Sequence, residues 1–186
     1  MTTALPTPDV RRLCITPLAD DASLNTFECG ERDIDRNVER CCGWERSHRA
    51  RLFCAYMPEV PEAYGFYCLG ITASDSKELG QEFGAEIAEA NDYRQYIPFV
   101  YVHYIAVRQE FQNQRIGTML LGNMMQRCGH IVRNVGVLGI ALHALTTRAL
   151  KLYEGYGFRQ FNELRYPLMV LPTQSLIDLT SGQFEA

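Results

Sequence analysis

Residues 99–107, FVYVHYIAV, are apolar, aromatic or β-branched at every position but His103. That is the pattern of a buried central strand. The chain turns polar at Arg108 and runs through Gln112, Asn113, Gln114, Arg115, Ile116, Gly117 and Thr118. Met119, Leu120, Leu121, Met124, Met125 and Cys128 then fall at helical spacing. A strand thus enters a short polar loop, which opens a helix reaching about residue 130.

The same reading places the other elements. Residues 13–16 form a short strand ended by Pro17, residues 20–27 a helical or turn region, and Gly30 breaks the chain. Residues 31–44 read as one helix, with Ile34, Val38 and Cys41 on its apolar face. Two strands, 52–56 and 65–72, form a hairpin across a loop with Pro58 and Pro61. An acidic amphipathic helix is expected over residues 75–92, with Asp75 and Glu78 as its capping box. After the central helix come a buried strand at 136–141 and a helix capped by Thr146 or Thr147 that ends at 155–157. Two closing strands, 158–161 and 166–171, follow, with Pro172 as the stop. The strands before the central one leave no room for repeated βαβ units. The fold class is therefore α/β, a mixed, mostly antiparallel sheet with helices on both faces.

Composition narrows the function classes. A chain of 186 residues, 47% hydrophobic and 22% charged, reads as one domain with a sizeable core. Its core spans about residues 12–172, and residues 75–92 are an insert. The first residues, MTTALPTPDV, form a loose leader without the basic and apolar regions of a signal peptide. No apolar run approaches the ~20 residues of a membrane span. The expectation is a cytoplasmic protein with no membrane partner. Seven cysteines make no C-x-x-C pair and the four histidines do not cluster with them, so neither a metal site nor a disulfide framework is expected. The vicinal Cys41-Cys42 reads as a pair of helix-packing residues, with a redox role as the competing reading. Net charge is −4, but residues 75–92 carry −5, which leaves the remainder at +1. An anionic partner is not excluded by the total.

Physical chemistry gives the strand–loop–helix unit a candidate task. The first amides of a helix lack intrahelical partners and sit at the positive end of its dipole. Such a loop can hold a phosphate or pyrophosphate, and Gly117 lets the backbone approach it. An ordinary connection between elements is the competing reading. Here the residues resemble the acyl-CoA-binding motif R/Q-x-x-G-x-G/A of the GNAT N-acetyltransferases. Gln112 takes its first position and Gly117 its last, while Arg115 stands where the pattern has its middle glycine. Residues 146–158, TTRALKLYEGYGF, are similar to the family's N-x-x-A-x-x-L-Y-x-x-x-G-F, with Thr146 in place of asparagine.

The resemblance implies a GNAT fold with a splayed central strand, and acetyl-CoA as co-substrate. The acetyl group would pass to a primary amine by direct attack in a ternary complex. It places the oxyanion donors at the amides of Ile105, Ala106 and Val107. It places the pyrophosphate at the loop Gln112, Asn113, Gln114, Arg115, Ile116, Gly117 and Thr118, with Thr146 as a further co-substrate residue. Arg115 adds a charge-assisted contact there. Tyr153 matches the family's general acid, and its phenol at pKa ~10 can protonate a thiolate of pKa ~8.5. A core aromatic is the competing reading, and Tyr156 is the reserve. On the central strand His103 is the one side chain with a pKa suited to proton transfer, as base or as core histidine. His143 is a weaker candidate.

That strand carries no Asp or Glu. An acceptor that needs little help is therefore expected, such as an α-amine of pKa ~7.7–8.0 rather than a lysine of ~10.4. A narrower resemblance agrees. Phe27-Glu28-Cys29-Gly30, then Ile34-Asp35, Tyr153, Gly157-Phe158 and residues 167–172, PLMVLP, look like the toxin branch of the superfamily. Those proteins acetylate aminoacyl-tRNA and are held inactive by an antitoxin. Arg32, Arg36 and Arg40, at i, i+4 and i+8, form the stripe through which tRNA would be met, against a solvated, salt-bridged face as the plainer reading. The acidic insert covers the acceptor site or a homodimer interface, or simply packs on the surface. The alternative to an enzyme is a GNAT-fold protein that binds acyl-CoA or a partner without turnover.

Overall fold

The computed structural model describes residues 5–75, 96–161 and 165–181. Seven strands form one sheet in the order β1-β2-β3-β4-β5-β7-β6. They are β1 Cys14–Pro17, β2 Arg51–Tyr56, β3 Gly65–Asp75, β4 Tyr96–Val107, β5 Gly139–His143, β6 Arg159–Gln160 and β7 Leu168–Pro172. The β1–β2, β2–β3, β5–β7 and β6–β7 ladders are antiparallel, and β4–β5 is parallel. The mixed, mostly antiparallel α/β sheet is thus present. Two compact units are distinguished, Met1–Gly70 with His103–Met124, and Ile71–Val102 with Met125–Ala186.

In the first unit β1 and β2 pair from Cys14 opposite Tyr56 to Pro17 opposite Phe53, and β2 pairs with β3 from Arg51 opposite Leu69 to Ala55 opposite Gly65. Alternation along β2 buries Leu52 and Cys54 completely, and all of residues 63–69 are buried. Phe27 meets Phe66 edge-on at 5.0 Å, and Phe53 stacks on Tyr67 at 5.1 Å. The helix expected over 31–44 is two pieces, Arg32–Asp35 and Val38–Arg46. Asn37 makes the break: its side-chain amide donates to the Asp33 carbonyl at 2.6 Å, competing with the backbone ladder. Ile34, Val38 and Cys41 are buried as the periodicity predicts. Arg32, Arg36 and Arg40 are exposed but do not lie along one continuous helix. Cys41 and Cys42 are buried among packing residues, and the Cys41 thiol shares a hydrogen bond with that of Cys68.

In the second unit β5 lies between two neighbours, parallel to β4 and antiparallel to β7. Its Gly139 is where a Cβ would collide with the Leu171 carbonyl oxygen. Ile97, Phe99, Ala141 and Val170 form a buried cluster with Tyr101, Leu138, Phe161 and Leu168 against it. The long helix runs Ile116–Asn134, past the expected end. At its end Arg133 donates to the Gly129 carbonyl and to Thr180 Oγ1, a residue of the final helix Thr173–Ser181. That last helix follows the expected stop at Pro172 and packs on β5 and β7. β3 runs to Asp75, the first residue of the expected insert. The rest of the acidic helix expected over 75–92 lies outside the described residues.

All seven cysteines are free, with Cys14 exposed and the other six buried. Among the described residues no helix is long and apolar enough to cross a membrane, and no cluster of His, Cys, Asp and Glu is placed to hold a metal ion.

Candidate active site

The parallel β4–β5 ladder covers Val100–Val102 opposite Ile140–Leu142, and β4 continues to Val107. Its last part carries Ile105, Ala106 and Val107. There β3 comes very close, because a Cβ on Gly65 would lie 2.7 Å from the Ala106 carbonyl oxygen. Just past the strand, Arg108 is only 4% exposed. Its Nε donates to the Ala63 carbonyl at 2.7 Å, and its two terminal nitrogens donate to the Thr26 carbonyl at 2.6 Å and to Thr26 Oγ1 at 3.3 Å. The guanidinium also lies 5.3 Å from the centre of the Phe27 ring. Burial lowers its pKa from 12.5.

A 3-10 turn, Gln109–Phe111, leads to the loop. Gln112 turns back: its Nε2 donates to the Cys29 carbonyl at 2.7 Å and to that of Val107 at 3.2 Å. Asn113 and Arg115 have φ of 64° and 66°, the left-handed region in which glycine is at home. Arg115 thus takes a backbone that favours glycine while carrying a side chain. Met119 N donates to the Arg115 carbonyl at 3.0 Å, which starts the helix, so the amides of Ile116, Gly117 and Thr118 belong to its first turn. A Cβ on Gly117 would meet only Val107 Cγ2, at 3.7 Å. Folding alone therefore does not demand glycine there. Arg115 is exposed and makes no ion pair among the described residues. A left-handed non-glycine residue costs about 1–2 kcal/mol. Arg115→Gly should therefore raise stability by roughly 0.5–1 kcal/mol, read as a higher urea midpoint with an unchanged slope.

His103 is half-buried on β4, with its ring 4.6 Å from that of Trp44. A Cβ on Gly70 would lie 2.6 Å from His103 Nε2, so the absence of a side chain at 70 makes the room for the imidazole. Burial lowers the His103 pKa, which leaves the ring neutral at pH 7.

The second unit holds the other candidates. Thr146 is the cap of the helix Thr147–Gly155, its Oγ1 accepting from Ala149 N at 3.1 Å. Tyr153, in that helix, is 5% exposed and its ring packs on Phe158 at 5.6 Å. Among the described residues no group hydrogen-bonds its hydroxyl, yet no buried side-chain oxygen is left without a partner. The ring is therefore buried while the oxygen reaches solvent. Buried tyrosines usually find a partner for that group. Burial pushes the Tyr153 phenol up to about 12. Tyr156 is half-buried at the helix end, its amide on the Tyr153 carbonyl. His143 Nδ1 bonds the Tyr166 carbonyl at 2.8 Å, so this nitrogen is the donor and the histidine ties β5 to the segment before β7.

A family model described as an acetyltransferase (GNAT) domain matches residues 62–160, more than half of the chain. The chain belongs to the GNAT acetyltransferase family. It is accordingly an acyltransferase. Solved GNAT folds include several toxins. A tyrosine-to-phenylalanine mutant of KacT is 24% identical, with 90% of this chain and 99% of that one covered at a TM-score of 0.76. AtaT complexed with acetyl-methionyl-tRNAfMet is 22% identical over 90% and 98% of the two chains, at a TM-score of 0.74. A structure described as a bacterial toxin is 15% identical over 94% and 98%, at a TM-score of 0.79. At these identities the likeness is one of fold.

Sequence reasoning missed Arg108 as a pin, because its partners are carbonyls 45 and 82 residues away. It also missed the contact of Gln112 with Cys29, across 83 residues. The one available signal was a lone arginine directly after nine strand residues, where a plain loop residue is exposed.

Proposed function

We propose that this GNAT protein is a single catalytic domain that transfers acetyl from acetyl-CoA to the α-amine of aminoacyl-tRNA. The observation that carries the chemistry is the Tyr153 hydroxyl, set on a buried ring and free of protein partners among the described residues. The observation that favours an α-amine is the absence of Asp and Glu from Tyr96–Val107. Proteins of similar fold lend support for the partners: AtaT has been seen with acetyl-methionyl-tRNAfMet, with acetyl-CoA, and bound to the C-terminus of the antitoxin AtaR.

Acetyl-CoA supplies the activated acyl group. In this reading the amides of Ile105, Ala106 and Val107 donate to the thioester oxygen as it gains charge. The amides from Gln114 to Thr118 hold the pyrophosphate, Gln112 and Asn113 shape that loop, and Thr146 caps its own helix as a further co-substrate residue. The Arg115 guanidinium adds a charge-assisted contact, so Arg115→Gly weakens acetyl-CoA binding while it strengthens the fold. As the amine nitrogen bonds to the carbonyl carbon, the carbon–sulfur bond breaks and Tyr153 gives its proton to the sulfur. The neutral His103 takes the amine proton, a light task for an amine with pKa ~7.7–8.0. Exposed Arg32, Arg36 and Arg40, unpaired by any carboxylate among the described residues, meet the tRNA phosphates. A protein antitoxin is the expected regulator.

The test is thiol release from acetyl-CoA with total aminoacyl-tRNA, free amino acids or lysine peptides as acceptor. Release with aminoacyl-tRNA, and acetyl found on its α-amine, is expected. Release with lysine side chains alone would overturn the acceptor assignment.

A further inference from the structure

The segment Thr26–Gly30 and Asp35 have no place in the chemistry above, yet they meet the entrance to the co-substrate loop at several points. Arg108 grips Thr26 through its carbonyl and hydroxyl. Gln109 N donates to the Glu28 carbonyl at 2.9 Å. Gln112 Nε2 donates to the Cys29 carbonyl at 2.7 Å. Successive anchor points on the segment thus meet successive residues leading into the loop.

Asp35 shapes that segment. Its Oδ1 accepts from Cys29 N at 2.8 Å and its Oδ2 from Gly30 N at 3.1 Å. Both carboxylate oxygens are spent on one peptide turn. Gly30 has φ of 81°, and a Cβ there would approach the Gln109 side chain to 3.1 Å. The turn is therefore tight against the loop entrance and needs glycine. The Cys29 side chain is not the active part: burial and the Asp35 hydrogen bond push its thiol up to about 12, which keeps it neutral and unreactive.

We propose that Asp35 is a positioning residue for the acyl-CoA loop. Its carboxylate fixes the Cys29–Gly30 peptide, which aims the Cys29 carbonyl at Gln112, and Gln112 then ties the loop back to the end of β4. A loop whose residues 113 and 115 are left-handed gains from an external tether. Misplacing the loop withdraws several phosphate donors at once. The consequence falls on co-substrate binding rather than on the chemical step. The inference rests on the acyl-CoA reading above.

Calorimetric titration of acetyl-CoA into the full chain, with melting curves run beside it, tests this. Asp35→Ala is expected to raise Kd about tenfold, the order of effect of a slightly misplaced positioning group. Gln112→Ala is expected to do the same. The double variant should be no worse than the poorer single, because both cut one linkage. At saturating acetyl-CoA, kcat of Asp35→Ala should stay within about twofold. Asp35→Asn keeps one acceptor and should fall between, which also serves if Asp35→Ala does not fold. A lower melting temperature with unchanged Kd, or additive effects in the double variant, would overturn the proposal. Failure of the unsubstituted protein to bind acetyl-CoA would instead sink the acyl-CoA reading itself.

Discussion

Tyr153→Phe is expected to lower kcat by about a hundred- to ten-thousand-fold, the usual contribution of a general acid, while acetyl-CoA binds as before. The substitution removes one oxygen from a ring that is 5% exposed and packed on Phe158. No hydrogen bond within the described residues is lost with it, so the melting temperature should hold or rise slightly. That separates this variant from an ordinary core tyrosine, whose hydroxyl is bonded and whose loss destabilises. The pH profile carries a second signature. With the phenol pushed up to about 12, it stays protonated across the working range. Burial makes it a weaker acid than the departing thiol of pKa ~8.5, so transfer to a free thiolate is uphill and the proton must move in concert with C–S cleavage, from an acid that is always in its donating form. The rate should rise with pH as the α-amine loses its proton near 7.7–8.0 and then stay level to about pH 10. A fall-off between pH 8 and 10, or a kcat for Tyr153→Phe within threefold of the parent, would remove Tyr153 from the acid's role.

What was legible in the chain, and what was not, divides by the range of the interaction. The run 99–107 and the periodic positions after it placed β4 and the long helix, since alternation and helical spacing are local properties. Thr146 was one of two caps offered, and the structure uses it. The helix over 31–44 broke because one side chain, Asn37, reached back to a carbonyl, which no periodicity reports. The helix Thr173–Ser181 was lost because only Leu176 and Thr180 of its residues are buried, leaving little apolar stripe to read. Within the site, the loop was visible as a motif. That Arg115 keeps a glycine's backbone was not, because a left-handed arginine is the exception that propensity argues against. Gly65 and Gly70 read as ordinary strand glycines. Their reasons, the Ala106 carbonyl and the His103 ring, lie on another strand.

Arg108→Met should cost the fold about 3–5 kcal/mol, a large part of a stability of about 5–15 kcal/mol. Methionine keeps much of the volume and the contact with Phe27, so the loss isolates the guanidinium. Two backbone carbonyls, Ala63 O and Thr26 O, would be left at a site that is only 4% exposed, each an acceptor deprived of a charged donor. Hydrogen bonds to charged groups are worth about 1.5–3 kcal/mol each, and an orphaned buried acceptor loses its water as well. Arg108→Lys keeps the charge but replaces a planar fork by a single point, which reaches one carbonyl or the other. It should recover less than half of the loss. For a chain of this length 1 kcal/mol moves the melting temperature by about 2–4 °C, so Arg108→Met should melt roughly 10 °C lower. The same variant frees Thr26 from the end of β4, and with it the segment that Gln109 and Gln112 lean on. Acetyl-CoA should therefore restore less stability to Arg108→Met than to the parent, at equal concentration, because binding must first reorder the loop. A melting temperature within 2 °C of the parent, or an equal upward shift with acetyl-CoA, would show that Arg108 neither holds the fold nor seats the loop.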